Sequence, residues 1–167
     1  MKEKELYKPV AFWLEQYLYG KFRNVEIQAF DSHEYYVSDV IAKKNLSAYF
    51  PQFSTYKVKI DVLGVVLYEK TGFLALIECK IKPITIMDLS QVIGYSKILN
   101  PILSVIISPQ KWSNSIHCLI EIFKRQDVLE YAHGRKIVLS KWDINSNSVS
   151  YSETLPIGYL ANFKTLI

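Results

Sequence analysis

Apolar and polar positions along this chain switch between a helical and a strand period. Within Met1–Tyr19, Leu6, Val10, Trp13, Leu14 and Tyr17 recur at helical spacing and predict an amphipathic first helix. Pro9 is tolerated only near a helix start, so the firm part is expected from about Tyr7 or Lys8. Asn24 to Phe30 reads as a first core strand, and Tyr35 to Val40 as an extension of the same meander. Lys57 to Leu67 (KVKIDVLGVVL) and Gly72 to Lys80 (GFLALIECK) are rich in Val, Ile and Leu, which suits strands. A turn-like Tyr-Glu-Lys-Thr-Gly separates them. Thr85 to Leu99 predicts a helix capped by Asp88 or Thr85, with Ile84, Met87, Val92, Ile98 and Leu99 as its apolar stripe. Ile102 to Ser108 is the nearly continuous apolar run of a strand covered on both faces. Trp112 to Lys124 reads as a helix, Lys136 to Leu139 begins a strand, and Val149 to Thr154 suits an edge strand. The pattern is that of a single α/β domain over residues 1–167, a central mixed β-sheet flanked by helices.

The two central strands make a geometric prediction. A hairpin centred between Lys70 and Thr71 sets Asp61 opposite Lys80 and Leu63 opposite Glu78. Opposed residues share a face, as do residues two apart. Asp61, Glu78 and Lys80 then lie on one face, while Cys79 and Ile77 turn to the other with Ile60 and Val62. Opposed side chains sit about 5 Å apart and diagonal ones about 7–8 Å, so two carboxylates there can share one divalent ion. A slip of one residue would break the arrangement. Cys79 on the far face is expected to be a buried apolar filler, although its backbone carbonyl, between the two acting side chains, is a further candidate metal ligand.

These residue types suit phosphodiester hydrolysis. Carboxylates hold Mg²⁺, a hard cation that prefers oxygen. The ion lowers the pKa of water and neutralises charge in the transition state. An ammonium such as that of Lys80 orients the attacking water or stabilises the developing charge. By itself, Asp followed by Glu-x-Lys is a weak signal, because charged residues at strand ends are often only solvated. Here Glu78 and Lys80 close a strongly apolar strand, and a helix-like segment follows at once. On it Gln91 and Tyr95, four residues apart, share one face and reach towards the same strand end. They are placed either to position a phosphate or water, or as a hydrogen-bonded amide and a half-buried ring. Gly94 costs the helix about 1 kcal/mol relative to Ala and marks close packing or close approach of a ligand.

The stretch from about Lys57 to Pro101 resembles the PD-(D/E)xK nuclease superfamily, in its RecB-like or Holliday-junction-resolvase-like branch. Asp61 takes the place of the metal-binding Asp on the second core strand. Glu78 and Lys80 take the Glu-x-Lys on the third, and Gln91 with Tyr95 matches Gln-x-x-x-Tyr. Ile60 stands where the motif name has Pro, which is commonly absent. The resemblance implies a restriction-endonuclease-like core, Mg²⁺ (with Mn²⁺ as substitute) held by Asp61, Glu78 and the Cys79 carbonyl, and DNA as substrate. It also implies an acid from the first helix. Among Glu3, Glu5 and Glu15, Glu5 fits the spacing to Gly20 best. The alternatives are a nuclease-fold module that grips DNA without cutting it, and a partner-binding domain in which the motif is coincidence.

Composition adjusts this picture modestly. A chain of 167 residues can fold without disulfides. Half its residues are hydrophobic and mean hydropathy is +0.07, so the apolar excess leaves room for a homodimer interface. No apolar run approaches the ~20 residues needed to span a bilayer, and no signal peptide is apparent, so an intracellular place is expected. Cys79 and Cys118 form no metal or disulfide pattern, which excludes a four-cysteine iron–sulfur cluster. The three His (His33, His117, His133) have no metal-ligand spacing. A net charge of +4 permits nucleic acid without requiring it, but Lys57, Lys59, Lys80, Lys82 and Lys97 surround the candidate residues. In Lys43–Lys57, Lys43 and Lys44 precede Tyr49, Phe50, Phe53 and Tyr56. Those rings either stack on unpaired bases or tuck onto the core, and the second reading is slightly favoured.

Overall fold

Residues 1–164 are described by the structure, a computed structural model. Six strands form one mixed sheet in the order β1 (Glu26–Asp31), β2 (Val62–Tyr68), β3 (Thr71–Cys79), β4 (Leu103–Ser108), β7 (Val138–Asp143), β8 (Ser148–Leu155). The pairs β1–β2, β2–β3 and β7–β8 are antiparallel, and β3–β4 and β4–β7 are parallel. A small hairpin, β5 (Glu130–Ala132) with β6 (Arg135–Lys136), stands apart. Helix α3 (Ile86–Leu99) carries the chain from β3 to the parallel β4. This is the expected α/β class, an open mixed sheet flanked by helices. β4 is buried at every position, as its continuous apolar run requires. β8 closes one edge of the sheet, where the Val149–Thr154 pattern placed it.

Helix α1 (Lys4–Lys21) covers one face of the sheet. It starts earlier than Pro9 led one to expect, because burial of Leu6, Tyr7 and Val10 outweighs the one helical hydrogen bond that Pro cannot donate. The extra turn carries Glu3 and Tyr7 towards the end of β3. Leu14 and Leu18 of α1 press onto Gly64 of β2: an added Cβ there would lie 2.8 Å from Leu14 Cδ2 and 3.2 Å from Leu18 Cδ1. Gly64→Val should therefore lift α1 from the sheet and destabilise the fold by about 1–3 kcal/mol. A lowered urea midpoint with an unchanged slope would show it.

The opposite face is covered by α3, by α2 (Val37–Lys43) and by the aromatic segment after it. Tyr35–Val40 is thus not a strand. Val37, Val40 and Ile41 follow the helical period and are all buried, a period too short to show in a six-residue window. Between α2 and β2 run two short 3₁₀ turns, Ser47–Tyr49 and Phe53–Thr55. Phe50 is buried, and Tyr49, Phe53 and Tyr56 pack partly buried against the same core, so these rings do tuck onto the protein. Gly72 in β3 lies under the Phe50 ring, which leaves no room for a Cβ.

The predicted Trp112–Lys124 helix is α4 (Asn114–His117), continuing as a π-helical turn, Cys118–Ile122. In α3 the buried positions are Leu89, Val92, Ser96 and Leu99. Met87 and Ile98, expected in the stripe, are exposed. Gly94 has no heavy atom within 4 Å of a built Cβ, so it does not mark close packing. No described helix is long and apolar enough to cross a membrane.

Candidate active site

The β2–β3 hairpin sets the site. Its turn is Glu69-Lys70, with Glu69 at φ 52°, and Val62 pairs with Ile77 and Tyr68 with Thr71. The register is shifted by two residues from the one expected, because Gly72 serves the Phe50 contact rather than the turn. A shift of two preserves the parity of the pleat. The ladder ends at the Val62–Ile77 pair, and Asp61, just outside β2, meets β3 through its side chain at the Cys79 N–H. Cys79 and Ile77 do go to the α1 face with Val62. Ile60 does not join them, but packs with Leu63 and Leu76 on the other side, since β2 begins only at Val62 and alternation lapses before it.

Asp61 is fixed from several directions. Its Oδ2 accepts the Cys79 backbone N–H at 2.8 Å. Its own carbonyl accepts Ser32 N–H at 2.9 Å, and the neighbouring Ile60 carbonyl accepts the buried Ser32 hydroxyl at 2.6 Å. Glu78 is 7% exposed, and its Oε1 accepts Lys80 Nζ at 2.9 Å. Lys80 Nζ also lies 3.7 Å from Asp88 Oδ1. Asp88 in turn is held by a capping box at the start of α3: Thr85 Oγ1 accepts Asp88 N–H at 3.3 Å, and Asp88 Oδ2 accepts Thr85 N–H at 2.8 Å. Both cap candidates therefore act together, and Asp88 faces the site as well.

The electrostatics are those of two carboxylates held together out of water. Burial, then the charge of Asp61, pushes Glu78 up to about 7, with Lys80 opposing. Burial also raises Asp61; the Cys79 N–H opposes it, and Glu3 adds to it. Burial alone would push Lys80 down, but the charge and hydrogen bond of Glu78, with Asp88 and Glu3, leave it raised. The cluster is thus short of positive charge.

The N-terminus of α1 supplies Glu3 rather than Glu5. Glu5 is exposed, its Oε2 taking the Lys2 N–H at 3.1 Å. Glu3 Oε1 accepts the hydroxyl of buried Tyr7 at 3.3 Å, and its charge acts on Asp61, Glu78 and Lys80. Glu15, the third candidate, lies three turns further along α1. Burial, then the charges of Asp61 and Glu3, pushes the Tyr7 hydroxyl up, so it stays a donor to these carboxylates. Its ring lies 4.6 Å from that of His33, whose Nδ1 is 2.5 Å from Asp31 Oδ1. Tyr7, Ser32, His33 and Asp88 thus join the surroundings of Asp61, Glu78 and Lys80. Of these only Asp88 carried a local signal, as a cap.

Gln91 Nε2 donates to the Tyr95 hydroxyl at 2.9 Å. Gln91 is exposed, and Tyr95 packs half-buried against the core cluster that includes Leu74 and Leu76, on the Glu78 face of the sheet. The pair is preformed on that face, and neither side chain hydrogen-bonds Asp61, Glu78 or Lys80. Cys79 is wholly buried, and burial, then the charge of Asp61, pushes its thiol well up, as befits a filler.

The donors fit a hard cation in type, being carboxylate and carbonyl oxygens. Among the described residues, no group of three or more His, Cys, Asp and Glu side chains gathers as a metal centre. Asp61 and Glu78 offer two carboxylates whose raised pKa values a cation would relieve. In an extended strand the N–H and C=O of one residue point to the same edge, so the Cys79 carbonyl lies on the side from which its N–H meets Asp61. The cluster sits at the carboxyl ends of parallel β3 and β4, where open α/β sheets place their ligands. No protein-family model matches the chain, and neither a curated protein nor a solved structure does.

Proposed function

We propose that this chain is a Mg²⁺-dependent deoxyribonuclease with a restriction-endonuclease-like core of the PD-(D/E)xK type. The observation that carries the reading is the desolvated Asp61–Glu78 pair with Lys80 hydrogen-bonded to it at 2.9 Å. Asp61, Glu78 and the Cys79 carbonyl would hold the ion, with Glu3 adding negative charge from α1. Mg²⁺, or Mn²⁺ in its place, supplies Lewis-acid polarisation of the phosphate and acidification of water. Lys80 presents a permanently charged ammonium beside the carboxylates, where it orients water and meets charge developing on the phosphate. Asp88 and Glu78 fix that ammonium from two sides. Gln91 and Tyr95 offer an amide and a hydroxyl to a phosphate from α3.

DNA is the substrate favoured by the resemblance, and the distribution of charge supports a polyanion. Lys57 and Lys59, exposed just before Asp61, lie over the Tyr36 ring at 5.9 and 5.4 Å, and Lys82 is exposed just after Lys80. Phosphate contacts of this kind position a backbone without reading sequence. A homodimer would use exposed apolar side chains on one face of the sheet, either Met87 and Ile98 of α3 or Phe12 of α1.

The test is incubation with plasmid, linear duplex, single-stranded DNA and a four-way junction, each with Mg²⁺, Mn²⁺ or EDTA. Cutting of closed circles identifies an endonuclease, digestion only from ends an exonuclease, and junction-selective cutting a resolvase. Asp61→Asn is the informative variant, because an amide oxygen can still accept the Cys79 N–H. Asp61→Ala would leave that donor unpaired at about 1–3 kcal/mol. Asp61→Asn should abolish metal-dependent cleavage with the fold intact. Undiminished cleavage in that variant would remove Asp61 from the mechanism, and binding without cleavage under every metal would favour a DNA-gripping module.

A further inference from the structure

A cavity lies away from the carboxylates. Phe73, which lines it, precedes Glu78 by five residues along β3, roughly 16 Å at the rise of a strand. Its volume is about 530 Å³, within the range of small-molecule sites. Phe22, Phe73, Tyr159 and Phe163 wall it, and all but Phe22 are only half-buried. Aromatic surface is therefore held open in a concave wall.

Two cations, Arg135 and Lys164, share the lining with no carboxylate among the described lining residues. Arg135 is fixed in place: its Nη1 donates to Asn100 Oδ1 at 3.1 Å, to the Pro101 carbonyl at 3.2 Å and to the Asn100 carbonyl at 3.4 Å. These acceptors close the C-terminus of α3. Nε and Nη2 make no hydrogen bond among the described residues, and no described carboxylate pairs with Arg135. A guanidinium pinned by one nitrogen, with the rest of its planar fork open, suits a carboxylate or phosphate.

We propose that this cavity binds a small aromatic acid, a single ring system bearing one carboxylate or phosphate. The ring lies among Phe73, Tyr159 and Phe163, and the anion meets Arg135, with Lys164 at the rim. The inference is independent of whether the chain cuts DNA.

Calorimetric titration in EDTA tests it, with dTMP and 1-naphthoate as probes for the nucleotide and carboxylate sources. Thymidine and inorganic phosphate serve as controls lacking the anion or the ring. At least one acid should bind saturably, and both controls at least tenfold more weakly. Arg135→Gln should weaken the acid at least tenfold, and Asp61→Asn should leave it unchanged. Because Arg135 also caps α3, Ile102→Trp provides a second variant, filling the cavity from another wall and abolishing binding while Arg135 remains. The proposal is overturned if neither acid saturates, if phosphate alone binds as well, or if Ile102→Trp binds like the parent. Binding lost in Asp61→Asn but kept in Arg135→Gln would assign the acid to the carboxylate site instead.

Discussion

Lys80→Ala is expected to lower kcat for DNA cleavage about a hundred- to a thousandfold, the loss typical of removing one preorganised transition-state donor. KM for DNA should change little, because Lys57, Lys59 and Lys82 remain to meet the backbone. The size of the effect follows from how Lys80 is held. Its ammonium sits 2.9 Å from Glu78 Oε1 and 3.7 Å from Asp88 Oδ1, and Asp88 is itself locked in the capping box of α3. A charge anchored this way needs no reorganisation when the phosphate develops negative charge. Lys80→Arg should recover only part of the rate, since a planar fork does not reproduce a point charge. Single-turnover kinetics at saturating Mg²⁺ separate this step from binding. Near-parental rates in Lys80→Ala would take Lys80 out of the chemistry and leave it as the counter-ion of Glu78.

The central strands were legible because their signal tolerates error. The turn was displaced by two residues, yet Glu78 kept its face, since the pleat repeats every two residues, and Asp61 and Lys80, just beyond the ends of β2 and β3, still meet it there, Lys80 Nζ at 2.9 Å from Glu78 Oε1. A displacement of one would have reversed it. Ile60 shows the limit, as alternation predicts nothing once the strand has ended. The remaining errors share a cause, which is that tertiary contacts decided them. Pro9 argued for a late helix start, and the burial of Leu6 and Tyr7 overrode it, bringing Glu3 rather than Glu5 to the site. Tyr35–Val40 was too short to show its period, and became α2 because Val37, Val40 and Ile41 face the core. Tyr7 and Ser32 reach Asp61 through pairings far apart in sequence, for which no local spacing exists. Asp88 was visible as a cap, but its second role depends on where β3 ends.

The stability of the metal-free protein should fall as pH rises from about 4.5 to 7, and Mg²⁺ should reverse that fall. The sign follows from Glu78. Its ordinary pKa is 4.5, and burial with the Asp61 charge raises it to about 7 in the fold. Between those values the native state keeps a proton that the unfolded chain has released. Stability therefore declines with pH across that window and levels above it. At about 1.4 kcal/mol per unit, the contribution is at most roughly 3 kcal/mol. Asp61, also raised, acts in the same direction. Lys80 does not contribute within the window: its pKa is raised above 10.5, so the stability it lends is complete below that value and is lost only at much higher pH. A divalent ion held by the ionised pair would compete with protons, so its stabilisation should grow from pH 5 to pH 8. Glu78→Gln keeps an oxygen acceptor for Lys80 but cannot titrate. In EDTA it should be more stable than the parent at pH 8, with a flatter profile and little response to Mg²⁺. Thermal unfolding of both proteins from pH 4.5 to 8, with and without Mg²⁺, measures the difference. Superimposable profiles would mean that Glu78 is neither strained by its neighbours nor a metal ligand. Cleavage in that case would have to be routed through other residues.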